Sequence, residues 1–283
     1  MPAPTTLRDA LHNAALQLVA TSPQPQRDAE LLLLHTLYIP RTEIFTTPTR
    51  PLSAAELAAY TAAITRRAAQ EPIQYITNTQ EFFGRPFHVT PAVLIPRPET
   101  ELLIDAALAQ LPRTPIRLAD VGTGSGIIAI TLALELPLAE IHALDISPAA
   151  LTIARKNAHT HHADHIHFHE SDLLAALPPT ELFDAILSNP PYVSTEDRET
   201  LAPEVRNHEP AAALFAGPTG LTIYQRLIPQ AFALLKPNGL LALEIGYNQR
   251  DQIAALLTEH NFHPPTFIPD LQQIPRVAVA RKP

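Results

Sequence analysis

The chain has 283 residues, 46% of them hydrophobic and 17% charged, enough for one large domain or two smaller ones around a sizeable core. Twenty Lys and Arg against 28 Asp and Glu leave a formal charge of −8, which speaks against general nucleic-acid binding, since that needs a basic surface to displace counterions. With no Cys, disulfides, thiolate catalysis and Cys-ligated metals are excluded. No apolar run approaches the ~20 residues of a membrane span, and Met1–Thr5 has no basic region followed by an apolar stretch, so a cytoplasmic chain without a membrane partner is expected.

In chain order, residues 1–75 read as a small helical bundle. Leu7, Leu11, Ala15, Leu18 and Val19 recur at helical spacing, and Leu31–Leu34 with Leu37 and Tyr38 follow the Pro23 and Pro25 break. Ser53 and Glu56 form a capping box that opens a third helix, to about Gln70. This part carries no chemistry of its own, which leaves it structure or partner docking. Residues 76–95, aromatic and β-rich around Gly84, predict a hairpin linking two domains. Residues 96–283 begin with Pro96-Arg97-Pro98-Glu99-Thr100-Glu101 and a helix to about Leu111. Strands at 116–121, 141–145, 165–169, 183–188 and 240–245 then alternate with helices, the mark of a mainly parallel α/β sheet. The last two strands, 266–270 and 276–280, have no helix between them. Such a terminal antiparallel hairpin is what a class I methyltransferase fold, Rossmann-like, would show. Lys236–Gly239 reads as a turn.

Glycine is scarce, yet three of the eight fall at Gly122, Gly124 and Gly126, after a strand and before a helix. There the segment Gly122-Thr123-Gly124-Ser125-Gly126 would let a cofactor lie on bare backbone. Asp145 ends the next strand, and its two oxygens can accept from both hydroxyls of a ribose. NAD(P) would use such an Asp too, but Ile127 breaks the dinucleotide spacing. Asp120 puts a negative charge near the loop, which suits an ammonium and a sulfonium better than phosphates. S-adenosyl-L-methionine is therefore favoured over NAD(P) and over a merely structural turn. Asp172 could accept from an adenine amino group or cap the following segment.

Ser188-Asn189-Pro190-Pro191-Tyr192 ends a strand at the sheet's ligand-binding edge. Two consecutive prolines fix the backbone and remove two donors, so the Pro190 carbonyl is aimed and free. Asn189 Oδ1 is a second acceptor and Tyr192 a flat face. Together they suit methylation of the NH2 of an amide or an aromatic amine, with both N–H groups held and the lone pair aimed at the methyl.

Gln74–Thr77, Glu81–Gly84, Leu94–Leu102, Asp120–Gly126, Asp145–Ser147, Asn189–Tyr192, Glu209-Pro210, Glu244–Gly246 and Asp270–Val277 follow in order. In these the chain resembles, over essentially its whole length, the release-factor glutamine methyltransferases, the PrmC or HemK family. The resemblance implies methyl transfer from S-adenosyl-L-methionine to the side-chain amide (N5) of the Gln in the Gly-Gly-Gln loop of peptide chain release factors. Carried over by position, Gly122, Thr123, Gly124, Ser125, Gly126, Asp145, Asp172, Leu173 and Asn189 would hold the cofactor. Asn189, Pro190 and Tyr192 would be catalytic, with Pro191 also at the glutamine. The alternatives are a ribosomal-protein glutamine methyltransferase and an adenine-N6 nucleic-acid methyltransferase, which shares the Asn-Pro-Pro-Tyr motif. Asn78 stands where the family commonly has Gly, and the ribosomal-protein paralogues often have Asn. Those paralogues lack the Pro-Arg-Pro-Glu-Thr-Glu stretch. Class I release factors are the expected partners of a monomer with no stable nucleic acid.

Six of the thirteen His fall between His159 and His169. His165, His167 and His169 alternate with Ile166 and Phe168, as on a strand with one polar face, and no metal is expected because the chemistry needs none. Ser194–Thr219 is too long for an ordinary connector and reads as a substrate loop.

Overall fold

The computed structural model describes residues 5–283. Contacts divide it into two compact units, one holding the residues up to Asn78 with Ala202–His208, the other Thr79–Leu201 with Glu209–Pro283.

The smaller unit is helical: α1 (Leu7–Leu18), α2 (Pro25–Leu37), α3 (Arg41–Thr46), α4 (Ala54–Ala68) and α5 (Ile73–Thr77). The Ser53–Glu56 capping box is formed, and Thr6 with Asp9 builds a second one at α1. The apolar stripes of α1, α2 and α4 meet in a core of Leu7, Leu18, Leu32, Leu33, Tyr60 and Ile64. One cation is buried beside it. Arg67 donates to Asp28 Oδ2 at 2.6 Å and to Glu204 Oε2 at 2.8 Å, and Glu204 lies in the returning segment Ala202–His208. Asn78 caps α5 at a φ of 55°, the left-handed region that Gly and Asn both tolerate. Its exchange for Gly is thus a matter of helix termination.

In the larger unit, β1 (Thr79–Phe82) and β2 (Arg85–His88) form the hairpin, turned at Phe83 and Gly84, both at positive φ. It packs into this unit's core through Phe82 and Phe87. Asn157 clamps it: the side chain pairs with both backbone groups of His88, at 2.8 and 2.9 Å, and donates to the Ser125 carbonyl at 2.8 Å.

Then come α6 (Glu99–Leu108), β3 (Arg117–Val121), α7 (Ile127–Glu135), β4 (Glu140–Asp145), α8 (Pro148–Thr160), β5 (His167–Glu170) and β6 (Phe183–Ser188). The region read as a substrate loop is not open coil. It contains a 3-10 turn at Glu196–Thr200 and the short helices α9 (Pro203–His208) and α10 (Ala211–Leu214), and α9 is held by the Arg67 pair. The chain ends with α11 (Thr222–Leu234), β7 (Leu235–Glu244), α12 (Arg250–Glu259), β8 (Thr266–Pro269) and β9 (Pro275–Arg281). The expected turn at Lys236–Gly239 is instead a bulge inside β7. Pairing with β6 jumps from Phe183↔Leu235 to Ala185↔Leu240, and Asn238 takes a φ of 61°.

The large sheet has the order β5-β4-β3-β6-β7-β9-β8, with β9 alone running opposite to the other six strands. Leu118 faces a core completed by α6 and α7, and Ala119 and Val121 face one completed by α11 and α12. The chain reverses at β3, which lies between β4 and β6, so the crevice at its carboxyl end is the sheet's switch point, where ligands bind.

Candidate active site

Register decides what reaches that crevice. Val121 pairs with Leu144 on one side and Ser188 on the other, so Gly122, Asp145 and Asn189 leave the sheet side by side. They border a cavity of about 310 Å3 also lined by Thr123, Gly124, Ser125, Asp172, Leu173 and Pro191.

The glycines serve two purposes. A Cβ on Gly126 would lie 2.8 Å from Ile130 Cδ1 and 3.2 Å from Ala154 Cβ, at a φ of 85°, so this glycine lets α7 and α8 close together and is not part of the lining. A Cβ on Gly122 would meet no protein atom within 4 Å and would occupy free space beside the cavity. Asp120 pins the loop from below, accepting from the Thr123 hydroxyl at 2.6 Å and from the Ala129 amide at 3.1 Å. It is fully buried and does not line the cavity, so the direct electrostatic role expected for it is replaced by a scaffolding one. Asp145 does line it. One oxygen accepts from the Gly124 amide and the other from the Ser147 amide, each at 2.9 Å, and the Ile146 amide also bonds to the carboxylate. Burial raises its pKa, against the lowering effect of those amides. Asp172 caps nothing with its carboxylate, which pairs with Arg226 at 2.6 Å; the neighbouring Ser171 hydroxyl takes the Ala176 amide instead.

Asn189 is oriented from behind. Its Nδ2 donates to Thr100 Oγ1 at 3.0 Å, and the Thr100 hydroxyl donates to Glu244 Oε2 at 2.6 Å. The Tyr192 hydroxyl reaches Glu244 Oε1 at 3.4 Å, and Tyr224 donates to the Glu244 carbonyl at 2.7 Å. With its nitrogen committed to Thr100, Asn189 keeps Oδ1 as the acceptor. Pro190 is buried, and neither it nor Tyr192 is among the lining residues. Glu209 anchors the Pro-Arg-Pro-Glu-Thr-Glu stretch, accepting from the Ile95 amide at 3.1 Å and from Arg97 at 2.6 Å. The supporting roles of Thr100, Glu244, Glu209, Arg226 and Asn157 have no local signature in the sequence. The first three fall within the family's motifs, while Arg226 and Asn157 carry no signal.

Burial pushes both Asp120 and Glu244 up to about 7, from ordinary values of 3.8 and 4.5. The folded chain then keeps protons that the unfolded chain has released. This contribution to stability is complete below about pH 4 and is lost as pH rises through about 7. Stability to urea is expected to fall over that interval by at most about 1.4 kcal/mol per pH unit for each group. Glu244→Gln should flatten the profile. A variant with the wild-type slope would move the protonation to another group.

This loop and acidic strand end, on a sheet of this order, are the architecture of class I methyltransferases, and the chain is one of them in fold. A ribosomal protein L11 methylase from Lactobacillus delbrueckii subsp. bulgaricus superposes with a TM-score of 0.50 at 25% identity, covering 72% of this chain and 89% of that one. Family profiles match at residues 9–77, the PrmC N-terminal domain, and at residues 98–209, the methyltransferase small domain. The release factor glutamine methyltransferase of Koribacter versatilis is 48% identical over 98% of this chain and 99% of its own length. That of Moorella thermoacetica is 44% identical over 89% of each. The chain belongs to the release factor glutamine methyltransferase family.

Proposed function

We propose that the cavity takes S-adenosyl-L-methionine and that the chain methylates the N5 amide nitrogen of the Gln in the Gly-Gly-Gln motif of class I peptide chain release factors. The residues present fit the cofactor. The Gly122–Ser125 segment offers bare backbone to the cavity, the Asp145 carboxylate lines it for the ribose hydroxyls, and Asp172 with Leu173 would read the adenine. When bound, the cofactor supplies the electrophilic methyl and a neutral leaving group.

The chain's own work is orientation. Asn189 Oδ1 and the Pro190 carbonyl each accept one N–H of the glutamine amide, and Tyr192 bounds the slot that admits the planar group. Held so, the nitrogen can pyramidalise with its lone pair free, and no strong base is needed beforehand because it becomes acidic only after transfer. The observation that carries this reading is the bond from Asn189 Nδ2 to Thr100, which turns Oδ1 into the free acceptor. The helical unit exposes Leu16, Val19, Tyr38 and Phe45, apolar side chains that suit docking of a protein rather than a nucleic acid. Among the described residues no helix is long and apolar enough to cross a membrane. A monomer acting in the cytoplasm, where its substrate is used, is the matching picture.

Thr100→Val would free the Asn189 amide and leave the Glu244 carboxyl with the Tyr192 hydroxyl alone. Its expected effect is a fall of about ten- to hundredfold in kcat with little change in KM for the cofactor, restored largely by Thr100→Ser. Equal loss in the Ser and Val variants would mean that Thr100 acts through packing alone. The function itself is tested by incubating the enzyme and labelled cofactor with a release factor, a ribosomal protein and DNA together. Mass spectrometry should find one methyl on the Gly-Gly-Gln glutamine. Label only on the ribosomal protein, or on adenine, would reassign the substrate.

A further inference from the structure

At the opposite end of β4 from Asp145 a second polar cluster stands apart from the cavity. Parallel pairing sets His142 of β4 beside His167 of β5, with His169 two residues on along the same face. Glu140, at the start of β4, completes the group. The ring of His142 lies 5.0 Å from that of His167 and 5.1 Å from that of His169, the latter stacked at an interplanar angle of 1°. One donor atom each from Glu140, His142 and His167 fall within 4.8 Å of one another.

We propose that Glu140, His142 and His167 form a binding site for one divalent transition-metal ion of the zinc type, which clamps the edge strand β5 to β4. Two imidazoles and a carboxylate are a donor set that zinc takes, at ~2.0–2.2 Å per ligand, with solvent in the fourth position. A small rotation of exposed His167 and Glu140 suffices to draw in atoms already this close, whereas His142 is buried and fixed.

The surrounding contacts match what ligands need behind them. His142 Nε2 faces Glu140 Oε1 at 3.0 Å, while its Nδ1 faces His169 Nε2 at 3.1 Å. With a metal on Nε2, the Nδ1–H is the donor to His169. Arg117 Nε donates to Glu140 Oε2 at 3.1 Å and leaves Oε1 for the ion. Phe183 meets the His142 ring edge-on at 5.3 Å, closing the apolar side, while the exposed side of His167 and Glu140 is open to entry.

The site serves structure rather than methyl transfer. Glu140 and Asp145 are at opposite ends of one strand, about 16 Å apart at ~3.3 Å per residue. β5 is a four-residue edge strand, and a cross-strand ligand pair would hold it in register.

Calorimetry of the untagged full chain with Zn2+ is expected to give one saturable site, and Zn2+ should raise the melting midpoint. Co2+ should give the absorption bands of a low-coordinate site. His167→Ala, at an exposed position, should abolish all three signals, and His169→Ala should weaken Zn2+ binding about ten- to hundredfold. The double variant His159→Ala, His162→Ala, in the neighbouring exposed histidines, should bind as wild type. No saturable binding, binding unchanged in His167→Ala, or binding lost in the double variant would each overturn the proposal.

Discussion

Replacing Asn189 by Ala is expected to lower kcat by about 10²–10³ while the unfolding midpoint stays near wild type. The size follows from the geometry around one atom. Thr100 holds the Asn189 nitrogen, so Oδ1 is the acceptor presented to the cavity. Truncation removes that acceptor and leaves the Thr100–Glu244 bond standing, so the cost falls on the transition state rather than on the fold. Single-turnover measurement separates the outcomes. A variant with normal kcat and raised KM would make Asn189 a ground-state contact, and near-normal turnover would remove it from the mechanism.

Asp145→Ala is expected to weaken cofactor binding about ten- to hundredfold, the worth of ~1.5–3 kcal/mol for hydrogen bonds to a charged group, with far less effect on release-factor binding. Asp145 also holds the Gly124 and Ser147 amides, so part of the loss is a loosened glycine loop. Asp145→Asn distinguishes the two parts, because one amide oxygen can still accept from the backbone but cannot serve both ribose hydroxyls. Calorimetry with S-adenosyl-L-methionine giving wild-type affinity in the Ala variant would show that the cavity had been read for the wrong ligand.

Much of this protein was legible before its structure. The alternation of strands and helices, the Ser53 cap, the glycines after β3 and the Asn-Pro-Pro-Tyr turn after β6 are each set by residues close together in the chain. Local chemistry of that kind leaves a periodic or composite trace. Parallel pairing then carries the strand ends to a common edge, so Gly122, Asp145 and Asn189 could be named as neighbours from topology alone.

Some local signals have a tertiary answer. Lys236-Pro237-Asn238-Gly239 has the composition of a free turn, but β6 pairs with β7 on both sides of it, at Leu235 and at Leu240, and absorbs it as a bulge. Ser194–Thr219 looks like a long loop, yet Glu204 within it meets the buried guanidinium of Arg67. Asp120 looked like a charge facing a ligand, and its burial under Thr123 and Ala129 made it a pin for the loop.

Sequence alone therefore determined the fold class, the order of the elements and the strand ends, Gly122, Asp145 and Asn189, that meet at the cleft, because those depend on backbone propensity and strand order. Only the tertiary structure decided how Asn189 is turned. Its support comes from Thr100, 89 residues away, and from Glu244, a further 144 residues beyond Thr100. Contacts between single polar side chains at such separations repeat with no period and alter no local propensity, so they come into being only when the sheet brings their strands and helices together.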